Sequence, residues 1–212
     1  KDWAILALLP SYLEREGSSL IYMMDSLIAQ SKNEHSGFYL DDLAKLNALL
    51  LELEQQKQPT LLLGVSFALL DFTEQYSLNL SFTTVMDTGG MKGRRKELTR
   101  EELHKTLQKG FGVSAIHSEY GMTELLSQAY AKGDGRFHCP NWMRVTPFET
   151  NDPFTPTEEG KIGRLNIIDL ANQESCAFIA TDDLGRSFPD GTFEVMGRLD
   201  ASDIRGCNLL VY

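Results

Sequence analysis

The chain has 212 residues, 42 % apolar and 24 % charged, the proportions of a globular domain rather than of a disordered, collagen-like or coiled-coil chain. Lys plus Arg number 20 and Asp plus Glu 30, giving a formal charge of −10, and an acidic surface argues against a nucleic-acid partner. Cys139, Cys176 and Cys207 are widely spaced and form no CxxC pair, which fits a reducing cytoplasm, and no apolar run approaches the ~18 residues of a membrane span.

The sequence begins at Lys1 without a Met, and an apolar run over residues 3–9 follows almost at once and stops at Pro10. Such a run predicts a strand buried on both faces, and its early position suggests that the chain starts inside a longer protein. Ser18 and Ser19 can cap a helix in which Leu20, Met23, Met24, Leu27 and Ile28 share one face. Asp41 and Asp42 open a second helix, with Leu43, Leu46, Leu49, Leu50 and Leu53 inward and Glu52, Glu54 and Lys57 outward. Residues 60–63 read as a buried strand, Gly64 as a turn, 66–76 as a helix, and 80–86 as another strand leading to Thr88-Gly89-Gly90. Thr99 and Glu102 have capping-box spacing for a helix over 100–109, which Gly110 and Gly112 end. A strand over 113–117 and a short helix over 123–131 complete the β-α-β-α rhythm, which predicts a mostly parallel sheet with flanking helices.

Beyond Gly133 the texture changes. Short strand-like runs at 137–148, 163–168, 176–180 and 191–196 alternate with turn signals such as Asp134-Gly135 and Pro189-Asp190-Gly191. The expected organisation is an α/β part over residues 1–132 and a small antiparallel β subdomain with a short tail over 133–212.

Two stretches combine residue types suited to nucleotide chemistry. In Tyr120-Gly121-Met122-Thr123-Glu124, at a predicted strand–helix junction, Tyr120 offers a stacking face, Gly121 close backbone approach, Thr123 a hydroxyl and Glu124 a hard oxygen for Mg²⁺. A capped helix start with Tyr120 in the core is the alternative. In Thr181-Asp182-Asp183-Leu184-Gly185-Arg186 and Gly197-Arg198-Leu199-Asp200, a carboxylate can accept ribose hydroxyls and an Arg can fork onto phosphate; a hairpin with surface ion pairs is the alternative. The basic run Lys92, Arg94, Arg95 and Lys96 reads as a solvated loop, and His117 and His138 lack metal-ligand spacing.

Taken in order, these segments resemble the YGxTE, TGDxGR and GRxD motifs of the adenylate-forming superfamily of acyl-CoA synthetases, luciferases and peptide-synthetase adenylation domains. Leu9-Pro10, Gly64-Val65-Ser66 and Thr88-Gly89-Gly90 resemble its lesser landmarks. Within it, Pro10-Ser11-Tyr12-Leu13-Glu14-Arg15 and the short carboxyl end look like the acyl-protein synthetase of bacterial bioluminescence, the fatty-acid-activating component of a fatty acid reductase.

The resemblance implies a partial adenylate-forming N-terminal-domain fold and a cytoplasmic, AMP-forming acid–thiol ligase. A fatty or other carboxylic acid would be activated by ATP to acyl-AMP and passed to a protein cysteine. It implies that Tyr120 stacks on adenine, that Thr123 meets the α-phosphate, and that Glu124 holds Mg²⁺. It further implies that Asp183 takes the ribose hydroxyls, that Arg198 bonds ribose or phosphate, and that Gly89, Gly90 and Gly121 line the nucleotide. Cys207, near the carboxyl end, is the implied acyl acceptor; a cysteine of a reductase-like partner protein is the other. An acyl- or aryl-CoA ligase and a non-catalytic nucleotide-binding or interaction domain stay open. Asp182 stands where the family has Gly, and residues 1–212 contain neither a Ser/Thr/Gly-rich phosphate loop, expected upstream, nor a C-terminal catalytic Lys.

Overall fold

The computed structural model describes residues 3–9, 18–40, 42–89 and 98–199. The chain divides into two compact units, one of Lys1–Thr123 with Lys132–Asp134, the other of Glu124–Ala131 with Gly135–Tyr212.

In the first unit the apolar run becomes β1 (Ala4–Leu8), every residue of it buried. Helix α1 (Ser19–Ser31) is capped by Ser18, whose side chain accepts from the Ile21 amide. A two-residue strand, β2 (Gly37–Phe38), follows, too short to leave a periodic signal in the sequence. Helix α2 (Leu43–Gln55) starts where the Asp42 carboxylate accepts from the Lys45 amide at 2.8 Å. It buries Leu46, Leu49, Leu50 and Leu53, each such leucine contributing roughly 1.5–3 kcal/mol. Then come β3 (Thr60–Val65), α3 (Ser66–Gln75), β4 (Thr83–Thr88), α4 (Arg100–Phe111) and β5 (His117–Tyr120). The strands lie in the order β2-β1-β3-β4-β5 and all neighbours are parallel, as the alternating rhythm predicts. The Thr99–Glu102 capping box forms in full, with the Thr99 amide donating to Glu102 at 2.9 Å.

Gly64 is not a turn but the fifth residue of β3, paired with Leu8 and Asp87. A Cβ there would lie 2.9 Å from the Leu69 side chain and 3.1 Å from the Leu8 Cβ, so the glycine serves close packing of helix on sheet. Strands β4 and β5 begin later than their apolar runs do. The amides of Leu78 and Leu80 donate to the end of α4, those of Ser81 and Phe82 donate to the Glu54 carboxylate, and that of Val113 donates back to Gln108. Residues whose N–H groups are thus committed add no ladder bonds.

The second unit is antiparallel throughout. Its strands are β6 (Ala129–Ala131), β7 (Phe137–His138), β8 (Met143–Phe148), β9 (Gly163–Asp169), β10 (Phe178–Ser187) and β11 (Phe193–Arg198). They run in the order β6-β7-β11-β10-β9-β8 around a core in which Phe137 and Phe193 stack at 5.3 Å. The predicted strand over 137–148 is split at Pro140, which lacks an N–H and whose carbonyl instead closes a turn with the Met143 amide. The predicted strand over 176–180 starts later and is far longer, so that β10 carries the whole Thr181–Arg186 motif.

The helix predicted over 123–131 does not form. Asp169 is fully buried, and its carboxylate accepts from the amides of Leu126, Ser127 and Ala171 and from the Ser127 hydroxyl. The Asn172 side-chain amide donates to the Glu124 carbonyl at 2.6 Å. These long-range partners take the backbone groups a helix would pair within itself, leaving a turn that leads into β6.

Gly110, inside α4, supplies a stability test. A Cβ there would sit 2.4 Å and 2.5 Å from the Cγ2 and Cβ of Thr73 on α3, although alanine is intrinsically the better helix former by about 1 kcal/mol. Gly110→Ala should therefore lower stability by about 1–3 kcal/mol in urea unfolding, whereas stabilisation would show that α3 and α4 are not in contact there.

Candidate functional site

Buried polar residues stand at the carboxyl ends of β4 and β5, the place where open α/β sheets bind ligands. Strand β4 ends in Asp87 and Thr88, and Gly89 follows at φ 68°, a left-handed conformation that a glycine adopts without strain. Gly90 and the basic run 92–96 lie outside the described residues, as do residues 10–15, Asp200 and Cys207. Strand β5 ends in Ser118, Glu119 and Tyr120, with Asp87 opposite Ser118 and Thr88 opposite Glu119.

This arrangement brings together residues that the motif reading passed over. The Ser118 hydroxyl donates to Asp87 Oδ1 at 2.6 Å, and His104 Nε2, from α4, lies 3.2 Å from the same oxygen and 3.3 Å from Ser118 Oγ. Ser66, the first residue of α3, donates to the Gly89 carbonyl at 2.7 Å with Asp87 Oδ2 3.4 Å away. All four side chains are buried. The available signal was the pair of polar strand ends, Asp87-Thr88 on β4 and Ser118-Glu119 on β5, which the strand-end rule could have selected.

Tyr120 is 9 % exposed, so its ring is mostly enclosed, whereas Gly121, Thr123 and Glu124 are exposed. Because no helix follows, these residues sit on a turn rather than at a helix N-terminus. On the second unit the Glu124 backbone is held by Asn172, and no group of three or more His, Cys, Asp or Glu side chains suited to a metal occurs among the described residues. Glu124 would thus supply one hard oxygen, a donor set that fits Mg²⁺, which commonly takes one or two protein carboxylates and completes its shell with water and substrate phosphates.

Asp183 and Arg198, fifteen positions apart, are cross-strand partners in the β10–β11 hairpin, with Arg198 Nε 3.9 Å from Asp183 Oδ1. The pairing register shifts between Ala180 and Leu184 and again between Leu184 and Gly185, an irregularity of the kind that re-aims side chains. The Asp183 amide donates to Thr181 Oγ1, and the Thr181 hydroxyl donates to the Leu165 carbonyl. Asp182, in place of the family's Gly, pairs with Arg164 at 3.2 Å, and Arg186 pairs with Glu194 at 2.8 Å. The predicted turn at Pro189-Asp190-Gly191 closes the hairpin, with the Gly191 amide donating to the Phe188 carbonyl.

The other two cysteines differ from one another. Burial pushes the Cys139 thiol up to about 11, which keeps it protonated and unreactive at neutral pH. Cys176, the first residue of the strand-like run over 176–180, instead precedes β10 and is exposed. Burial, with a smaller contribution from Lys132, holds His117 below the usual histidine range.

Glu119 is buried, 8 % exposed, and accepts a hydrogen bond from the Thr88 hydroxyl. Burial raises its carboxyl above the usual range, the nearby Asp87 adds to the rise, and the Thr88 bond opposes it. A raised carboxyl favours the fold when protonated, so its contribution is present below the ordinary glutamate value near 4.5 and lost as pH climbs through the raised value. Glu119→Gln imitates the protonated form. It should raise the melting temperature at pH 7, with the gain shrinking toward pH 4.5; a lower melting temperature at pH 7 would contradict this.

Known proteins resemble this chain in sequence and in architecture. A long-chain-fatty-acid–luciferin-component ligase from Aliivibrio fischeri is 26 % identical over 137 residues, which cover 59 % of this chain and 36 % of that protein. ATP-bound MatB from Rhodopseudomonas palustris superposes with a TM-score of 0.64 at 15 % identity, over 93 % of this chain and 41 % of that one. O-succinylbenzoate coenzyme A synthetase, MenE, from Bacillus subtilis, in complex with ATP and magnesium, gives a TM-score of 0.60 at 16 % identity over 93 % of this chain and 42 % of that one. The chain thus spans about two fifths of the length of these solved structures, and at such identities the likeness shows the fold. The family described as acyl-protein synthetase, LuxE, matches residues 20–212, and the chain belongs to that family.

Proposed function

We propose that the protein activates a fatty or other carboxylic acid with ATP and passes the acyl group to a cysteine thiol. The observation that carries this reading is the cross-strand meeting of Asp183 and Arg198, from two separate motifs, beside a break in the β10 register. Among the described residues Arg198 has the longest of the second unit's four arginine–carboxylate pairs, 3.9 Å against 2.8–3.2 Å for the others. Its guanidinium is held less closely than those of the other three pairs and is 65 % exposed, which leaves it able to reach a ribose or phosphate oxygen.

A free carboxylate resists attack because hydroxide or oxide is a poor leaving group. In the proposed reaction a carboxylate oxygen bonds to the α-phosphorus of ATP and pyrophosphate leaves. A thiolate then bonds to the acyl carbon of the mixed anhydride and AMP leaves. The protein's task is alignment and charge neutralisation. Tyr120 offers a ring for adenine, the Gly89, Gly90 and Gly121 backbone allows close approach, and Thr123 bonds the α-phosphate. Asp183 accepts the ribose hydroxyls, Arg198 supports ribose or phosphate, and Glu124 holds Mg²⁺, which when bound offsets phosphate charge. Cys207 is proposed as the acceptor thiol, with Arg205 two residues away to favour its thiolate.

Two measurements on the full-length protein test these assignments. Losing a hydrogen bond to a charged group costs about 1.5–3 kcal/mol, so Asp183→Ala should weaken AMP binding roughly tenfold or more in calorimetry without Mg²⁺. Glu124→Gln should leave that affinity unchanged, and unchanged binding in Asp183→Ala would remove Asp183 from the site. With ATP and radiolabelled fatty acid, wild type should acquire hydroxylamine-sensitive label that Cys207→Ser loses while still forming acyl-AMP. Equal labelling of the two would move the acceptor to another cysteine, and label appearing only with a partner protein or coenzyme A would move it off this protein.

A further inference from the structure

We propose that Asp87 is a positioning residue that locks the ends of β4 and β5 together through Ser118, His104 and Ser66, and thereby sets where the Gly89 turn and Tyr120 stand. The claim rests on the reading of Gly89 and Tyr120 as nucleotide-facing.

The proton inventory of the cluster defines its connections. The Ser118 hydroxyl has one proton, and at 2.6 Å it goes to Asp87 Oδ1. His104 Nε2 then faces lone pairs on both neighbours, Asp87 Oδ1 at 3.2 Å and Ser118 Oγ at 3.3 Å, so Nε2 carries the ring proton and donates. Ser66 also has one proton, and the Gly89 carbonyl at 2.7 Å takes it in preference to Asp87 Oδ2 at 3.4 Å. One carboxylate on β4 therefore meets groups from β5, α4 and α3, and the α3 group reaches on to the carbonyl of the turn residue itself.

Geometry gives the cluster leverage. Asp87 is two residues before Gly89, and Ser118 is two residues before Tyr120; the two strands are in direct register at Asp87 and Ser118. A slip of either strand end would break the 2.6 Å bond and leave a buried carboxylate short of a donor. The cluster is too deeply buried to touch a substrate, and Ser118 is 1 % exposed, so the Ser-His-Asp set acts on the strands and not as a nucleophilic triad.

The test compares wild type with Asp87→Asn, the milder Ser66→Ala, and the pair His104→Gln and His104→Leu, all in the full-length protein. Hydrogen exchange should quicken about tenfold in peptides covering residues 86–89 and 118–120 of Asp87→Asn and His104→Leu, while protection of α2 stays at the wild-type level. Ser66→Ala should loosen the 86–89 peptide alone. His104→Gln, which keeps an N–H donor, should behave as wild type. In ATP–pyrophosphate exchange the KM for ATP should rise about tenfold in Asp87→Asn, while the KM for the acid is unchanged. Uniformly faster exchange throughout the unit, or local loosening without a change in the KM for ATP, would overturn the proposal. If wild type itself shows no exchange of pyrophosphate, the nucleotide reading fails, and hydrogen exchange alone decides whether Asp87 holds the two strand ends.

Discussion

A carboxylate removed from water needs donors on its lone pairs, and two buried aspartates at strand ends place that demand on the segments around the motifs. Asp169, fully buried at the end of β9, gathers the amides of Leu126, Ser127 and Ala171 and the Ser127 hydroxyl. Asp87, at the end of β4, gathers Ser118 and His104. Orphaning any one of these groups costs about 1–3 kcal/mol, an appreciable share of a domain's total stability. In the second unit this constraint shapes the turn that follows Glu124; in the first it shapes the strand ends beside Gly89 and Tyr120.

The same constraint separates what the sequence discloses from what it conceals. Helices α1, α2 and α4 were legible because their caps are local: Ser18, Asp42 and the Thr99–Glu102 box each act within three or four residues. The parallel order of the first unit and the antiparallel second unit followed from apolar periodicity and from turn residues. The missing helix after Tyr120 was not legible, because Asp169 and Asn172, more than forty residues away, claim its backbone groups. The late start of β4 has the same origin in the distant Glu54, Gly110 and Phe111, whereas Val113 ahead of β5 is held locally by Gln108. Gly64 and Gly110 read as breakers by composition, yet each is inside an element because a neighbouring side chain needs the space of its Cβ.

The candidate site divides likewise. Asp183 and Arg198 were found through motif resemblance, and the hairpin makes them neighbours in space. The hairpin and surface ion pairs weighed as the alternative are present too, so the motif segments have a structural role as well as the proposed one. The Asp87 cluster was missed because its members come from β4, β5, α3 and α4, and no spacing rule joins residues so far apart in sequence. In the proposed reaction, Arg198, backbone amides and a metal at Glu124 would offset the charge of the triphosphate.

The most direct test of the proposed ligase activity is ATP–pyrophosphate exchange by the full-length protein across a series of fatty acids. The account predicts Mg²⁺-dependent exchange that requires the acid and varies with its chain length. Tight AMP binding with no acid-dependent exchange at any chain length would contradict it, and would leave a nucleotide-binding domain without ligase chemistry.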